Sequence, residues 1–302
     1  MVYKFFLLMI NFMLSVGFFM YIERKLLGLS HYREGPNKVF IKGYFQFIFD
    51  MIKLLSKSFF ELYDKMVFTY FFIPMLMFIN IFLLWLIFPY NSDLLNKNIS
   101  MIYLIVLLVM KMFFFVVMIF FIYSSYSYLS MIRMVIQIIS YDIIIILIFL
   151  FNFIIYSDFD FELYKFNLNY FFLFFMSLVI FIFWYMSIIV ELIRLPFDFY
   201  EGESELVSGF NIEYGSFLFL ILVLVEYLEM IYFMIITVYL FIWFDFLGYV
   251  FIFFLFMMIF FLIWLRLFFV RYRLDKMLYI LWKFIFPFTM IFIFIYYYLN
   301  LI

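Results

Sequence analysis

Eight long runs of apolar residues set the limits on how this chain can fold. Each run holds about 20 residues with few charges, the length that an α-helix needs to cross the hydrocarbon core of a bilayer. The runs cover residues 4–22, 66–89, 100–123, 134–156, 169–190, 216–243, 246–269 and 277–300. The sequence therefore predicts an all-α polytopic membrane protein with about eight transmembrane helices.

The composition excludes several other classes of protein. Hydrophobic residues make up 72% and charged residues 13% of the chain, whereas soluble domains hold about 45–50% and about 25%. A soluble enzyme and a disordered protein are therefore excluded. The 19 basic residues face 20 acidic ones, so the chain lacks the basic excess that is typical of a nucleic-acid-binding protein.

Residues that usually hold redox centres are scarce. The chain has no cysteine, which excludes a disulfide framework, cysteine-bound zinc and an iron–sulfur cluster held by this chain. Its single histidine, His31, argues against a metal or haem site built from histidines. We expect that this chain itself holds no metal and binds no cofactor.

The choice of amino acids also points to the genome. Alanine is absent, phenylalanine (56) and tyrosine (27) are abundant, and glycine (8) and proline (5) are scarce. The abundant residues have AT-rich codons and the scarce ones GC-rich codons. This bias favours a mitochondrial genome, with an AT-rich bacterial genome as the alternative.

Lysine and arginine fall mostly on one side of the predicted topology. The side with the connections after the first, third, fifth and seventh spans carries most of them, whereas the side of the termini holds little beyond Lys4, Lys97 and Lys165. Because cations favour the cytoplasmic or matrix face, both termini should lie on the opposite face. The predicted inner loops are residues 23–65, 124–133, 191–215 and 270–276. No repeat or linker divides the chain, so we expect one membrane domain, residues 1–302.

The first inner loop contains a second kind of helical pattern. Between Tyr44 and Lys57, the polar residues Gln46, Asp50, Lys53 and Lys57 recur at spacings of four, three and four. These spacings place them on one helical face. We predict an amphipathic helix at the membrane surface.

The third inner loop, residues 191–215, concentrates carboxylates. Against one cation, Arg194, it carries Glu191, Asp198, Glu201, Glu203, Glu205 and Glu213. If part of the loop is helical, Asp198, Glu201 and Glu205 share one face, where mutual repulsion would raise some of their pKa values.

Ionisable residues also lie inside the predicted spans, where a charge is costly and usually functional. Lys111 lies in the third span, Asp142 in the fourth, and Glu226 and Glu229 on one face of the sixth. With the loop carboxylates they indicate a chain of titratable groups that could relay protons. The structural alternative is ion pairing with the arginines of the inner loops.

Four motifs follow one another along the chain. The first is Glu23-Arg24-Lys25 with Arg33 and Gly35-Pro36-Asn37. The second is Arg133, Gln137 and Ser140-Tyr141-Asp142. The third, which is highly specific, is Arg194-Leu195-Pro196-Phe197-Asp198 followed by the run EGESELVSGFN at residues 201–211. The fourth is Arg271, Arg273 and Asp275 with Trp282-Lys283. Together they resemble chain 1 of respiratory complex I, the NADH:ubiquinone oxidoreductase.

This resemblance implies a core subunit of a proton-translocating enzyme in the mitochondrial inner membrane, inactive as an isolated chain. It implies ubiquinone as substrate, FMN and iron–sulfur clusters in partner subunits, and contacts with matrix-arm subunits, membrane-arm subunits and phospholipid. The termini would face the intermembrane space. By motif, the quinone chamber would be lined by Arg24, Arg33, Phe197, Asp198 and Arg273. The path for proton or charge coupling would contain Asp142, Glu191, Glu201, Glu203, Glu205, Glu213 and Glu226.

The chain departs from the family pattern at several points. Asp142 stands in place of a glutamate, Glu34 in place of a lysine, and Tyr200 in place of a small residue. Glu229 and Lys111 lie outside the pattern. They can pair only if the third and sixth spans are adjacent.

Other functions remain open at this point. One alternative is the equivalent subunit of an ion-pumping membrane hydrogenase, which shares part of the loop motifs. Another is a proton-coupled transporter, which would need paired repeats or broken helices, and neither is present in the sequence. The third is a structural anchor for a peripheral arm, in which the buried carboxylates need not titrate.

Overall fold

A computed structural model describes most of the chain, and all regular secondary structure in the described residues is helical. The described residues are 2–38, 42–57, 67–87, 100–156, 171–199, 209, 213–241 and 248–301. The helical segments are α1 (Val2–Ser30), α2 (Gln46–Ser56), α3 (Val67–Leu86), α4 (Ser100–Ile119), α5 (Ser125–Tyr156), α6 (Phe171–Glu191), α7 (Ser216–Phe241), α8 (Tyr249–Phe268), α9 (Leu274–Ile280), a π-helical segment (Leu281–Ile285) and α10 (Phe286–Leu301).

Each of the eight predicted spans coincides with a long helix or, for the last span, with the continuous helical stretch from α9 to α10. Within the described residues, five segments are long and apolar enough to cross a membrane, and α3 and α6 contain shorter apolar segments. The predicted fold class, a polytopic helical membrane protein, is therefore confirmed.

Helix α7 forms the centre of the bundle. Apart from Glu226 and Glu229 it is mostly apolar on all sides, which is the pattern of a buried helix, and twenty of its residues are buried. It packs against α1, α2, α3, α6 and α8, while α3, α4, α5 and α6 pack in sequence around it. Helix α10 packs against α5 from outside. The side chains that α4, α5, α6 and α7 direct toward one another therefore lie in the protein interior.

The predicted amphipathic helix is present as α2. Phe47 is buried, and Met51 and Leu54, which follow it at helical spacing, pack against the core. Helix α2 contacts α1 and α7. Its closest approach is at Gly17 of α1, where a Cβ atom would overlap the Phe47 ring. A residue without a side chain is therefore required at position 17 for α2 to pack against α1 in this way.

Helices extend into segments that the sequence predicted as inner loops. Residues 125–133, expected in a loop, form the first turns of α5, because the carboxylate of Glu213 accepts hydrogen bonds from backbone amides at the start of this helix. These amides have no partner within a helix, and the carboxylate is also favoured by the helix dipole. Likewise, α1 continues to Ser30 and α9 begins at Leu274, within the first and fourth of these segments, whereas α6 ends at Glu191, where the third was predicted to begin.

We predict that Gly17→Val weakens the packing of α2 on α1. The new side chain must displace the Phe47 ring, and overpacking of this kind costs about 1–3 kcal/mol. The measurement is the midpoint temperature at which the assembled protein is lost from native membranes, which should fall. Gly215→Val is the matched control, because a Cβ atom at position 215 meets no atom of the described residues within 4 Å. An unchanged midpoint for Gly17→Val, or no recovery when Phe47→Ala is added, would contradict this account.

Candidate functional site

Lys111 lies at the centre of a buried group of charges. Its ammonium is 2.7 Å from Oε1 of Glu191 and 2.5 Å from Oε1 of Glu229. The three side chains come from α4, α6 and α7, and each is at least 94% buried. The condition that the sequence set for pairing Lys111 with Glu229 is met: α4 and α7 are close enough for their side chains to bond.

Asp142 of α5 belongs to the same group. Its side chain is buried, and it interacts electrostatically with Glu191, Lys111 and Glu229. Among the described residues, neither oxygen of Asp142 has a hydrogen-bond partner. We call Lys111, Asp142, Glu191 and Glu229 the membrane cluster. It holds three carboxyl groups and one ammonium, so it is neutral only when two of the carboxyls carry a proton.

A second cluster surrounds Glu23 of α1. Glu23 accepts hydrogen bonds from Arg266 of α8 and from the Tyr227 hydroxyl of α7, both at 2.8 Å, and lies 3.7 Å from Arg194. The Arg194 guanidinium lies 4.7 Å from the centre of the Tyr227 ring, in cation–π range. We call these four residues the Glu23 cluster.

The two clusters are joined through two short stretches of chain. On one side, Glu191 is the last residue of α6 and Arg194 follows three positions later. On the other side, Tyr227 and Glu229 lie two positions apart on α7. Movement of either stretch would therefore change the contacts of both clusters.

The turn that follows α6 fixes the direction of the chain toward Arg194. Ile193 adopts a φ of 52°, a left-handed conformation that costs about 1–2 kcal/mol for a residue with a side chain. The Ile193 amide donates to the carbonyl of Val190 and the Arg194 amide to that of Ile189, which is the pattern of a Schellman motif.

Gln137 of α5 holds this turn from the other side. Its amide nitrogen donates to the carbonyl oxygens of Val190, at 2.7 Å, and Phe197, at 3.0 Å. Gln137 is fully buried, so these bonds form in the absence of bulk water. They join α5, which carries Asp142, to the segment that carries Arg194 and Phe197.

Phe197 and Asp198 contact the loop that precedes α9. The Phe197 ring stacks on Tyr272 with centroids 5.4 Å apart, and the Tyr272 amide donates to the carbonyl of Pro196. Oδ2 of Asp198 lies 3.4 Å from Nη2 of Arg271. Two residues after Arg271, Arg273 is exposed and precedes α9. A cavity of about 360 Å³ is lined here by Phe269, Val270, Arg271, Tyr272, Arg273 and Lys276.

The two remaining residues predicted for a quinone chamber lie on the α1 side. Arg24 is exposed and donates to Asp50 of α2 at 2.9 Å. Arg33 is exposed in the turn after α1, where its amide donates to the carbonyl of Gly28. The structure thus joins Phe197 and Asp198 to the loop of Arg273, whereas Arg24 is tied to α2.

Glu213 lies at the junction of three elements. Its carboxylate accepts hydrogen bonds from the amide of Ser124, at 2.7 Å, and from the Ser127 hydroxyl, also at 2.7 Å. Its carbonyl accepts a hydrogen bond from Tyr70 of α3, whose ring stacks on Tyr214. Burial, and then the charge of Glu213, raises the pKa of Tyr214 above its ordinary value. The Tyr214 phenol is therefore neutral at physiological pH and cannot serve there as a phenolate base.

Among the other predicted coupling residues, Glu226 is half-buried on α7, next to Tyr227. Glu201, Glu203 and Glu205 lie outside the described residues. Tyr200, the departure that precedes them, also lies outside them.

Sequence reasoning did not select Glu23 or Arg266 as site residues. Their positions could have indicated the pair. Glu23 and Arg266 have opposite charges and lie at the inner ends of the first and seventh predicted spans, at a similar membrane depth. Lys111 and Glu229 were noted as a possible pair, but their joint contact with Glu191 was not expected.

Comparison with known proteins identifies relatives over nearly the whole chain. Residues 3–297 match the family model described as NADH dehydrogenase. The NADH-ubiquinone oxidoreductase chain 1 of Rhipicephalus sanguineus is 35% identical over 297 residues, which cover 98% of this chain and 94% of the relative. The chain 1 proteins of Locusta migratoria (34% over 302 residues, 97% and 96% covered) and Anopheles gambiae (32% over 290 residues, 95% and 92% covered) are also similar.

We predict that Gln137→Leu loosens the segment of residues 192–199. The substitution removes the amide donor and leaves two buried carbonyls without it, at about 1–3 kcal/mol each. Hydrogen exchange of the backbone amides from Leu192 to Phe199 should then accelerate by at least about tenfold, since 1.4 kcal/mol corresponds to a factor of ten.

Asn80→Leu is the matched control. It removes a hydrogen bond of similar length, which the Asn80 side-chain amide of α3 donates to the carbonyl of Leu107 of α4. It should leave exchange in residues 192–199 unchanged. Equal exchange rates in Gln137→Leu and the parent protein would show that the turn does not depend on Gln137.

Proposed function

Because this chain belongs to the family of NADH-ubiquinone oxidoreductase chain 1, we propose that its buried charge clusters couple ubiquinone reduction to proton translocation. The chain is a core membrane subunit of NADH:ubiquinone oxidoreductase, and other subunits of that complex are its partners. The family assignment favours this enzyme over the membrane hydrogenase and the transporter that the sequence alone left open.

The observation that carries the proposal is the unequal number of charges in the membrane cluster. Three buried carboxyl groups share one ammonium at hydrogen-bond distance or in electrostatic range. Interactions between such groups are strong because the surroundings are poorly polarisable, and the groups titrate as a set. A charge that appears at one end of the set therefore changes the proton occupancy at the other end.

The proposed source of that charge is ubiquinone, bound beside the loop that carries Phe197 and Asp198. The stacking of Phe197 on Tyr272, the pairing of Asp198 with Arg271 and the neighbouring cavity of about 360 Å³ support a chamber at this place. Arg273 lines the cavity. Arg24 and Arg33 would line the entrance from the α1 side. Aromatic rings and guanidinium groups suit a quinone, whose ring is flat and whose oxygens accept hydrogen bonds.

The proposed path runs from this chamber into the membrane. Glu201, Glu203, Glu205 and Glu213 would form its first part, and Glu191, Asp142 and Glu226 its continuation. Reduction and protonation of the quinone change the local charge, and the coupled carboxyls respond together. The Gln137 bonds and the Arg194–Glu23 contact would transmit the accompanying movement of the loop to α5 and α1.

The cellular setting is part of the proposal. The chain would lie in the mitochondrial inner membrane, encoded by the mitochondrial genome, with both termini in the intermembrane space and the basic loops in the matrix. It would contact ubiquinone, phospholipid and both arms of the complex, whose other subunits would hold FMN and the iron–sulfur clusters.

We predict that Asp142→Asn lowers ubiquinone reduction and the coupled proton pumping by about a hundredfold or more, the low end of what a positioned proton-transfer group contributes. The amide has nearly the same shape but cannot take up or release the proton. NADH oxidation by a water-soluble electron acceptor, which does not require quinone, should stay at the parental level and report that the complex is assembled.

Asp275→Asn is the control, since Asp275 is an exposed carboxylate in the first turn of α9. It should retain parental pumping. Full quinone reduction and full pumping in Asp142→Asn would demote the membrane cluster to a structural role and favour the anchor interpretation.

We predict that Phe197→Ala raises the apparent KM for a short-chain ubiquinone by about two- to tenfold with kcat nearly unchanged. An aromatic pair is worth about 0.5–1.5 kcal/mol, and a factor of ten corresponds to 1.4 kcal/mol. The measurement is steady-state quinone reduction in native membranes as a function of quinone concentration. Phe294→Ala, on an exposed face of α10, should leave the KM unchanged. An unchanged KM in Phe197→Ala would place the quinone elsewhere.

A further inference from the structure

Lys111 and Glu229 stand apart from the other members of the membrane cluster. The family resemblance accounts for Asp142 and Glu191, whereas Lys111 and Glu229 lie outside its motifs. Yet both make the shortest contacts of the cluster, at 2.5 Å to each other and 2.7 Å from Lys111 to Glu191.

Burial makes each of these two residues dependent on the other. A buried ammonium or carboxylate that loses its partner is strongly destabilising, because its charge is left without water and without a counter-charge. The Lys111 stem is packed within the bundle, and its ammonium lies 5.7 Å from the centre of the Phe115 ring. The Phe115 ring therefore adds a cation–π contact to the two carboxylate contacts of the ammonium.

The two oxygens of Glu191 have different surroundings. Oε1 accepts the hydrogen bond from Lys111. Among the described residues, Oε2 is buried without a hydrogen-bond partner. A proton that arrives at Glu191 can bind Oε2 without breaking the Lys111 contact, whereas binding at Oε1 would displace the ammonium.

We propose that Lys111 and Glu229 are a positioning pair that directs proton exchange to Oε2 of Glu191; this inference rests on the function proposed above. Lys111 occupies Oε1, and Glu229 supplies the counter-charge that keeps the ammonium there. Asp142, which interacts electrostatically with Glu191, is the proposed exchange partner of Oε2. The two groups are not hydrogen-bonded to each other in this structure, so they must first approach. The O–H bond of Asp142 then breaks, an O–H bond forms at Glu191 Oε2, and the negative charge moves from Glu191 to Asp142.

The charged groups around the pair are known from each neighbouring element. Helix α5 contributes Asp142 and α6 contributes Glu191, while α7 contributes Glu226 beside Glu229. Helices α1 and α8, which pack against α7, contribute Glu23 and Arg266 of the Glu23 cluster. Helix α2, which also packs against α7, contributes Lys53 and Asp50, and Asp50 is paired with Arg24. The described part of α3 contributes no acidic or basic residue next to α4.

The test compares Lys111→Met, Glu229→Gln and the double variant in native membranes, with Lys283→Met as the matched control. Lys283 is exposed, and its ammonium lies over the Tyr279 ring, remote from the cluster in the chain. The measurements are the pH profile of ubiquinone reduction and, as a measure of assembly, NADH oxidation by a water-soluble acceptor.

In Lys111→Met, ubiquinone reduction should fall by about tenfold, a usual size for coupling between contacting charges. The acid limb of its pH profile should move to higher pH, because loss of the cation favours the protonated carboxyl. In Glu229→Gln, the loss should be smaller and the acid limb should move to lower pH. The double variant, which removes one charge of each sign, should recover most of the activity and a profile close to that of the parent.

Several outcomes would overturn the proposal. Parental activity and a parental pH profile in Lys111→Met would do so. Single variants that lose stability but keep the parental pH profile would also do so, because that is the behaviour of a purely structural pair. If Lys111→Met does not assemble, the profile of Glu229→Gln decides, and an unshifted acid limb is then the contrary result. Loss of pumping in Asp142→Asn, with no effect in the pair variants, would reject this inference alone. Full pumping in Asp142→Asn would reject the proposed function itself.

Discussion

A charge inside a membrane protein has no water to solvate it, so each buried ion of this bundle needs a partner on another helix. Apolar surfaces alone do not specify which helices meet in lipid, because lipid tails are as apolar as leucine. Here the Lys111 contacts join α4, α6 and α7, and the Glu23 contacts join α1, α7 and α8. The central position of α7 follows, since it contributes to both clusters.

The same contacts that specify the packing are the ones whose charge can change. A helix bundle held only by apolar packing would not respond to a charge at its surface. In this chain, Glu191 and Arg194 lie at the end of α6, three residues apart, and the turn between them is held by Gln137. In the proposed mechanism, an electrostatic change at the loop of Phe197 and Asp198 reaches the membrane cluster through these covalent and hydrogen-bonded connections.

The helices could be predicted from the sequence, because helix length and the 3.6-residue period are local properties that leave a pattern in neighbouring residues. The pairings of buried charges could not. Lys111 and Glu191 are 80 positions apart in the chain, Lys111 and Glu229 are 118 apart, and Glu23 and Arg266 are 243 apart. Their meeting depends on the rotation and depth of each helix. The start of α5 at Ser125 was missed for the same reason, since the carboxylate that caps it belongs to Glu213.

The membrane cluster also bears on the choice between a structural ion pair and a relay. A structural pair needs one carboxylate for each ammonium, and a second or third carboxyl only adds repulsion and desolvation. Lys111 is surrounded by three, and Asp142 and Oε2 of Glu191 have no hydrogen-bond partner among the described residues. Since neutrality requires two protons on three carboxyls, the low-charge states of the cluster differ chiefly in where those protons lie. Groups that exchange protons among such states are what a relay requires.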